Sequence, residues 1–466
     1  MDYEIKRGET VIATITPTGS QKRAVMGQDT LNVSFTLNTF VQFAIWDTLT
    51  AFGKTYILNQ YPQVDKVSSL QYNYTATFDA QGYDLGKVQY MFLDDDGNPE
   101  MSDFPLTADA GRFVDLIVSN MNRASSGWSK GTVDDTDYAT LSFSNDSCLS
   151  ALSKVANQFQ TEFWIDGKVI NVTKQGQETT LKFQYGKGKG LYSITRSVSG
   201  DKDVFSRLYV FGSTKNLPAD YRGGKRRLQL PGAVPYIQKQ AQYDAYGLIE
   251  APSLIFDGSN NTKEIYPHRT GTISAVTDAF TFTDSEMDFD VNAQLISGVN
   301  ATVKFQTGNL SGYEFTINSY NNSTKTFVIN QFQDETGMIF PSATGFKPAV
   351  GDTYVLLNIE MPSSYVTEAE NDLQTAGNGY YDTNSNGREI YIVDCDPLYF
   401  KDQNLDTLNL GDFAEIADTP MSIDKSIRMI GIERDLQLPF KYTLTLADTA
   451  TVALIVRQYF EDQNTQ

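Results

Sequence analysis

Residues 30–40, TLNVSFTLNTF, and residues 69–78, SLQYNYTATF, decide the fold class of this chain. In the first stretch Leu31, Val33, Phe35 and Leu37 fall on one side of an extended backbone, with Asn32, Ser34 and Thr36 on the other. In the second, Leu70, Tyr72, Tyr74, Ala76 and Phe78 repeat the alternation. Successive side chains of a strand point to opposite faces. A period of two rich in aromatic and β-branched residues therefore specifies antiparallel strands with one buried face. A small barrel or sandwich is the natural closure for such strands. The pattern holds over residues 1–98, which read as a first β-barrel.

Moving outward, the period changes after the acidic, turn-rich joint FLDDDGNPEMSDFP (92–105). Ala110, Phe113, Val114, Ile117 and Met121 recur at helical spacing, with Thr107 as the expected cap. ATLSFS (139–144) is a short strand. Cys148, Leu152, Val155, Ala156 and Phe159 then mark a second helix, entered through Asn145 or Asp146. EFWIDGKVINVTK (162–174) is a hairpin turned at Asp166-Gly167. Together these make an α+β domain at 103–178.

Strand patterning resumes over 179–229 and returns over 376–448, two pieces expected to build a second β-barrel. Between them lie an inserted all-β module with an irregular lead-in (230–362) and a connecting helix (363–375). Val452, Ile455, Val456, Tyr459 and Phe460 mark a C-terminal helix at 449–466. The expected fold is mainly β with α+β: two small β-barrels flanking an α+β domain, an inserted all-β module and a C-terminal helix.

The 466 residues carry 37 Lys and Arg against 57 Asp and Glu, a net charge of −20. Such a surface repels phosphate, which argues against a nucleic-acid grip, and it lacks the basic clusters that dock on anionic lipid. MDYEIKRGET has no apolar leader, and no run approaches the roughly 18 apolar residues of a membrane span, so a soluble protein made inside the cell is expected. Lys225-Arg226-Arg227 is the one notable basic cluster and reads as a solvated loop, or else as a subunit or nucleic acid contact.

The chemistry-bearing residues are sparse. Cys148 and Cys395 are too few and too far apart for a disulfide framework or a metal knuckle, and both read as small buried apolar residues. His268 is the single histidine, and no G-x-S-x-G elbow accompanies it. In DSEMDFD (284–290) Asp284, Glu286, Asp288 and Asp290 alternate. On a strand they would share one face, as a solvated surface, a cation site or a carboxylate pair. In DTNSNGREIYIV (382–393) Asp382, Asn384 and Asn386 occupy positions 1, 3 and 5 of a calcium loop, with Gly387 at the sharp turn. Val393 replaces the bidentate Glu of position 12, leaving a weak calcium site or an ordinary turn. GKGKG (186–190) lacks phosphate-loop spacing. No catalytic residue and no cofactor is indicated. Trp46, Trp128 and Trp164 are expected as core or interface rings rather than a sugar platform.

GQDTLNVSFTLNTF (27–40) with GKTYILNQYPQVDKVSSLQYNYTATFDAQGYDLGKVQYMF (53–92) resembles the first barrel of phage tail hub proteins, the family of baseplate hubs and of the amino-terminal part of siphophage tail-associated, endopeptidase-like proteins. LSFSNDSCLSALSKVANQFQTEFWIDGKVINV (141–172) is similar to their α+β domain. Residues 190–218 and 408–448 are similar to their second barrel. The resemblance implies a homotrimer whose six barrels match a sixfold tail tube to a threefold tip. It implies a distal tail protein and tail tube protein above, tip or receptor-binding proteins below, and a channel holding the tape-measure protein and passing DNA without specific binding. It implies a location at the virion tail tip after synthesis in the host cytoplasm. It does not imply an enzyme, since the family's lytic modules lie downstream of the hub. A receptor- or carbohydrate-binding tail protein is the alternative, followed by a peptidoglycan hydrolase.

Overall fold

The computed structural model describes residues 1–447 apart from 95, 199–203, 260–261, 334–338, 343–345, 387–388, 406 and 422. The C-terminal helix expected at 449–466 lies outside the described residues.

The amino-terminal strands are β1 (Tyr3–Arg7), β2 (Thr10–Ile15), β3 (Thr18–Ala24), β4 (Asp29–Leu37), β5 (Thr48–Ala51), β6 (Lys54–Leu58), β7 (Gln63–Ser68) and β8 (Gln71–Asp79). They hydrogen-bond in the order β2-β1-β5-β6-β8-β4-β3, with β7 added to β8. The period-two reading fixes the face of β4: Leu31, Val33 and Phe35 are buried with Tyr74, Ala76 and Phe78 of β8. The alternation outruns the core, however. Tyr72 is half-buried, and Leu70 sits exposed at the tip of the β7–β8 hairpin.

Six strands close the second barrel: Glu178–Tyr185, Gly190–Val198, Glu389–Cys395, Tyr442–Ala447, Ile423–Asp435 and Phe413–Asp418, in that cyclic order. Arg207–Gly212, expected within this barrel, is not part of it. It pairs with Tyr236–Gln238 and Leu254–Phe256 in a separate small sheet. That sheet packs on a helix that runs from Ser363 to Asn384, beyond the expected end at 375. Its buried stripe, Val366, Ala369, Leu373, Gly377 and Tyr381, explains the capture. A Cβ on Gly377 would lie 2.8 Å from Ile237 Cδ1. Only a bare backbone lets the helix sit this close.

Helix α1 (Ala110–Ala124) buries Phe113, Val114, Ile117 and Met121 as its spacing dictates. Asp109, not Thr107, caps it by accepting from the Arg112 N–H, because Thr107 is held in a strand and bonded to Thr140. Ser147 caps α2 (Cys148–Gln158) by accepting from the Ser150 N–H, two residues beyond the expected Asn145. Asp146 instead takes the Lys154 ammonium at 2.6 Å. The hairpin of Phe163–Asp166 and Val169–Val172 turns at Gly167-Lys168, one residue later than read. The α+β core and the second-barrel core merge into one apolar cluster running from Phe113 and Phe143 to Phe183 and Leu444. Each large side chain in it stabilises the fold by about 1.5–3 kcal/mol.

Seven strands between Thr270 and Leu357 form a further sheet around Phe282, Phe305, Phe315 and Phe327. Asn216 anchors this unit by donating to the Pro267 and Leu356 carbonyls at 3.0 and 2.8 Å.

Candidate functional site

The position at which a single chain holds two β-units together is a backbone seam. β3 pairs antiparallel with the end of Ile423–Asp435, from Ser20 opposite Asp435 to Ala24 opposite Gly431. The Val25 N–H donates to the Ile430 carbonyl at 3.0 Å and the Leu436 N–H to the Gly19 carbonyl at 3.1 Å, extending the seam at both ends. The amino-terminal sheet and the second barrel thereby become one continuous sheet of 14 strands. Leu436 crosses the seam to bury itself in the amino-terminal core. Gln437 donates to the Met1 and Pro17 carbonyls, both at 2.8 Å, and pins the neighbouring loop.

The α+β domain is fixed to the second barrel by a buried ion pair. Arg428 donates through Nη1 and Nη2 to the two carboxylate oxygens of Glu162 at 2.5 and 2.6 Å. It also donates to the Gly411 carbonyl at 3.1 Å and the Gln175 carbonyl at 2.5 Å. The side chains are 3% and 6% exposed, so the fork replaces the solvent that both groups have lost. The backbones cross tightly here: a Cβ on Gly176 would stand 1.9 Å from the Gly411 carbonyl oxygen.

A groove opens beside the seam as two adjoining cavities of about 330 and 490 Å³. Arg23, Lys54, Gln81, Asp166 and Gly167 border both. Its polar groups are largely tied to one another. The Tyr56 hydroxyl donates to Asp29 at 2.8 Å and accepts from Gln21 at 2.5 Å, and Lys54 pairs with the same Asp29. Burial pushes the carboxyl of Asp79 up to about 6, against the opposing pull of the Asn59 amide and of Lys87. These contacts cross-link strands, and none aligns a nucleophile with a base.

The residues singled out in the sequence are dispersed. Asp382 and Asn384 lie on the last turn of the Ser363–Asn384 helix, not in a loop, while Asn386 follows it. Asp382 pairs with Lys239, and the Asn384 amide donates to the Tyr380 carbonyl at 2.7 Å. Helical backbone at positions 1 and 3 points these oxygens along the helix surface rather than at a common centre. No group of three or more His, Cys, Asp or Glu suited to a metal ion occurs among the described residues.

DSEMDFD is a turn, not a strand, so its acids do not share a face. Asp284 is fully buried, paired with Arg269 at 2.6 Å, and accepts from the Tyr354 hydroxyl at 2.9 Å. Arg269 also reaches Asp288 at 3.2 Å and donates to the Glu286 carbonyl, while Tyr365 of the long helix donates to Asp288 at 2.7 Å. Asp290 caps a short helical turn. One arginine, far enough away to be missed by local spacing, organises the segment as a structural cross-link.

His268 donates Nδ1–H to the Tyr266 carbonyl at 2.8 Å and lies against the Tyr266 ring. Cys148 and Cys395 are both buried free thiols. Burial pushes Cys148 up to about 12 and raises Cys395 too. In the basic run Arg227 pairs with Asp257, while Lys225 and Arg226 are exposed. Trp128 is buried and Trp164 half-buried, whereas Trp46 is 60% exposed beneath the Lys87 ammonium.

No protein-family model and no curated protein matches the chain. Solved structures do. Prophage tail protein gp18 from Listeria monocytogenes EGD-e superimposes with a TM-score of 0.50 over 99% of this chain and 99% of its own, at 8% identity. The fold is that of a phage tail protein. The 43 kDa tail protein of prophage MuSo2 from Shewanella oneidensis gives 0.49 at 8% identity, covering 96% of this chain and 97% of that one. The tail protein from Neisseria meningitidis MC58 gives 0.48 at 7% identity, covering 96% of each. The expected likeness to phage tail proteins is thus met at the level of fold.

Proposed function

We propose that the chain is a structural component of a phage tail, the trimeric hub of its tip or baseplate. One observation carries the proposal: a single polypeptide holds two β-units edge to edge through the β3 seam. Three such chains offer six units, so a threefold tip can meet a sixfold tube without a change of subunit. In this reading the distal tail and tube proteins sit above, tip or receptor-binding proteins below, and the tape-measure protein and then DNA occupy the central channel. The net charge of −20 per chain suits a wall that DNA passes without being held.

Sedimentation of the purified protein tests the reading. A mass of three chains supports it, and a stable monomer, dimer or tetramer overturns it. A second reading, a receptor- or carbohydrate-binding tail protein, is favoured by the exposed Trp46 and Tyr61 rings. Binding to a glycan array that is lost in Trp46→Ala would support it. A zymogram on peptidoglycan settles the remaining reading, a tail-associated hydrolase.

A further inference from the structure

The outer edge of β7 is the conspicuous unpartnered surface of the molecule. β7 pairs with β8 on one side, from Gln63 opposite Thr75 to Ser68 opposite Gln71, and no strand bonds its other side among the described residues. All six of its residues are exposed. Around it stand Tyr61 at 66%, Val64 at 38%, Val67 at 58% and Leu70 at 69% exposure; Phe40, 53% exposed, lies against the Tyr72 ring of the neighbouring strand at 5.9 Å, and Ile45 and Trp46 are exposed in the loop before β5. Seven of the 24 exposed large apolar side chains among the described residues thus come from residues 40–70. A free edge carrying apolar side chains on both faces is a template for another chain, and proteins that stay single do not leave it open. Lys66, the charge that could guard it, lies over the Tyr72 ring at 5.5 Å.

We propose that β7 and the apolar residues around it form the contact with a second copy of this chain, an inference that rests on the trimeric reading above. Charge selects the occupant. Residues 30–78 contain only Asp47, Lys54, Asp65 and Lys66 as charged groups, so this stretch is neutral in a chain of net charge −20. Asp47 and Lys54 are already paired, with Arg7 and Asp29. Two strongly acidic copies approach here without facing like charge, whereas a basic partner finds nothing to hold.

The strand also selects the symmetry. A twofold pairing centred on Asp65 or on Lys66 would set that residue against its own copy, and like charges directly opposite destabilise a sheet. A head-to-tail contact of the kind that closes rings avoids both registers. The chain already joins sheets edge to edge within itself, by β3 on Ile423–Asp435.

The test compares the wild-type chain with Val67→Lys/Leu70→Lys and, as a control at an equally exposed apolar site, Val350→Lys. Each is checked for folding by circular dichroism and then sedimented across a dilution series. The expected result is a three-chain mass for wild type and Val350→Lys, and assembly weakened by about tenfold or more in the double variant. Hydrogen exchange adds a readout independent of folding: the amides of β7 that point away from β8 should be protected in concentrated wild-type protein and released on dilution. A wild-type trimer that persists in the double variant, with those outward amides unprotected, overturns this inference and leaves the trimeric reading standing. A monomeric wild type overturns both. Loss of glycan binding in the double variant, with assembly unchanged, assigns the patch to a receptor and overturns the copy-to-copy contact.

Discussion

Arg428 and Glu162 are 266 positions apart in sequence and meet inside the protein as a two-pronged ion pair at 2.5 and 2.6 Å. Glu162 enters the hairpin of the α+β domain, and Arg428 lies mid-strand in the second barrel. The orientation of one unit on the other is therefore set by a fork that tolerates little rotation.

Removing one partner leaves the other buried and uncompensated. Arg428→Met is expected to destabilise by about 3–5 kcal/mol, and Arg428→Met/Glu162→Leu to recover most of that loss. Urea unfolding of the three proteins measures both. A single variant no less stable than the double would show that the pair is not the joint.

The glycine crossing beneath this pair is expected to be equally intolerant. Gly411 has φ +86°, and a Cβ there would lie 2.2 Å from the Gln175 carbonyl oxygen. Gly411→Ala should cost about 2–4 kcal/mol, combining strain with backbone displacement. Gly53, at φ +76° with open space around it, should cost only about 1 kcal/mol on the same change. Thermal unfolding of both variants reads the difference.

Asp79 gives the stability a pH dependence of definite sign. Its carboxyl is raised from 3.8 to about 6 by burial, so the folded protein holds this proton more tightly than the unfolded chain does. Its contribution is most favourable below the unfolded value, declines as pH rises from about 4 to about 6, and is flat above. Asp79→Asn should remove the decline and stabilise the protein above pH 6 by roughly 1–2 kcal/mol. Stability curves at pH 4, 5, 6 and 7.5 check it. An unchanged slope in the variant would assign the dependence elsewhere.

Burial also governs the thiols. With Cys148 and Cys395 enclosed and raised, modification of the native protein by an aromatic disulfide at pH 8 should be on the order of a hundredfold slower than in denaturant. The rate should follow unfolding rather than thiolate concentration.

What could be read in the sequence was whatever repeats over a few residues. The alternation at Leu31, Val33 and Phe35 and the stripe at Phe113, Val114 and Ile117 both appear as buried faces. The stripe on the long helix runs on past 375: Gly377 and Tyr381 continue the spacing of Val366, Ala369 and Leu373, which removes Asp382 and Asn384 from any loop. Long-range electrostatics left no local mark. Nothing near DSEMDFD announces that Arg269 will bury Asp284, and nothing near Arg428 announces Glu162. The separate sheet of Arg207–Gly212 was hidden for the same reason, since a strand's pattern names its buried face but not its neighbour.

The seam at β3 is made of main-chain amides and carbonyls, which every residue but proline supplies in full. The lateral spacing of the two units is therefore one strand-to-strand step, about 4.8 Å, whatever side chains decorate it. Evolution can rewrite almost every letter around such a hinge-free weld and keep the geometry, provided the rows stay in step. An architecture shared at 8% identity is what that freedom would leave behind.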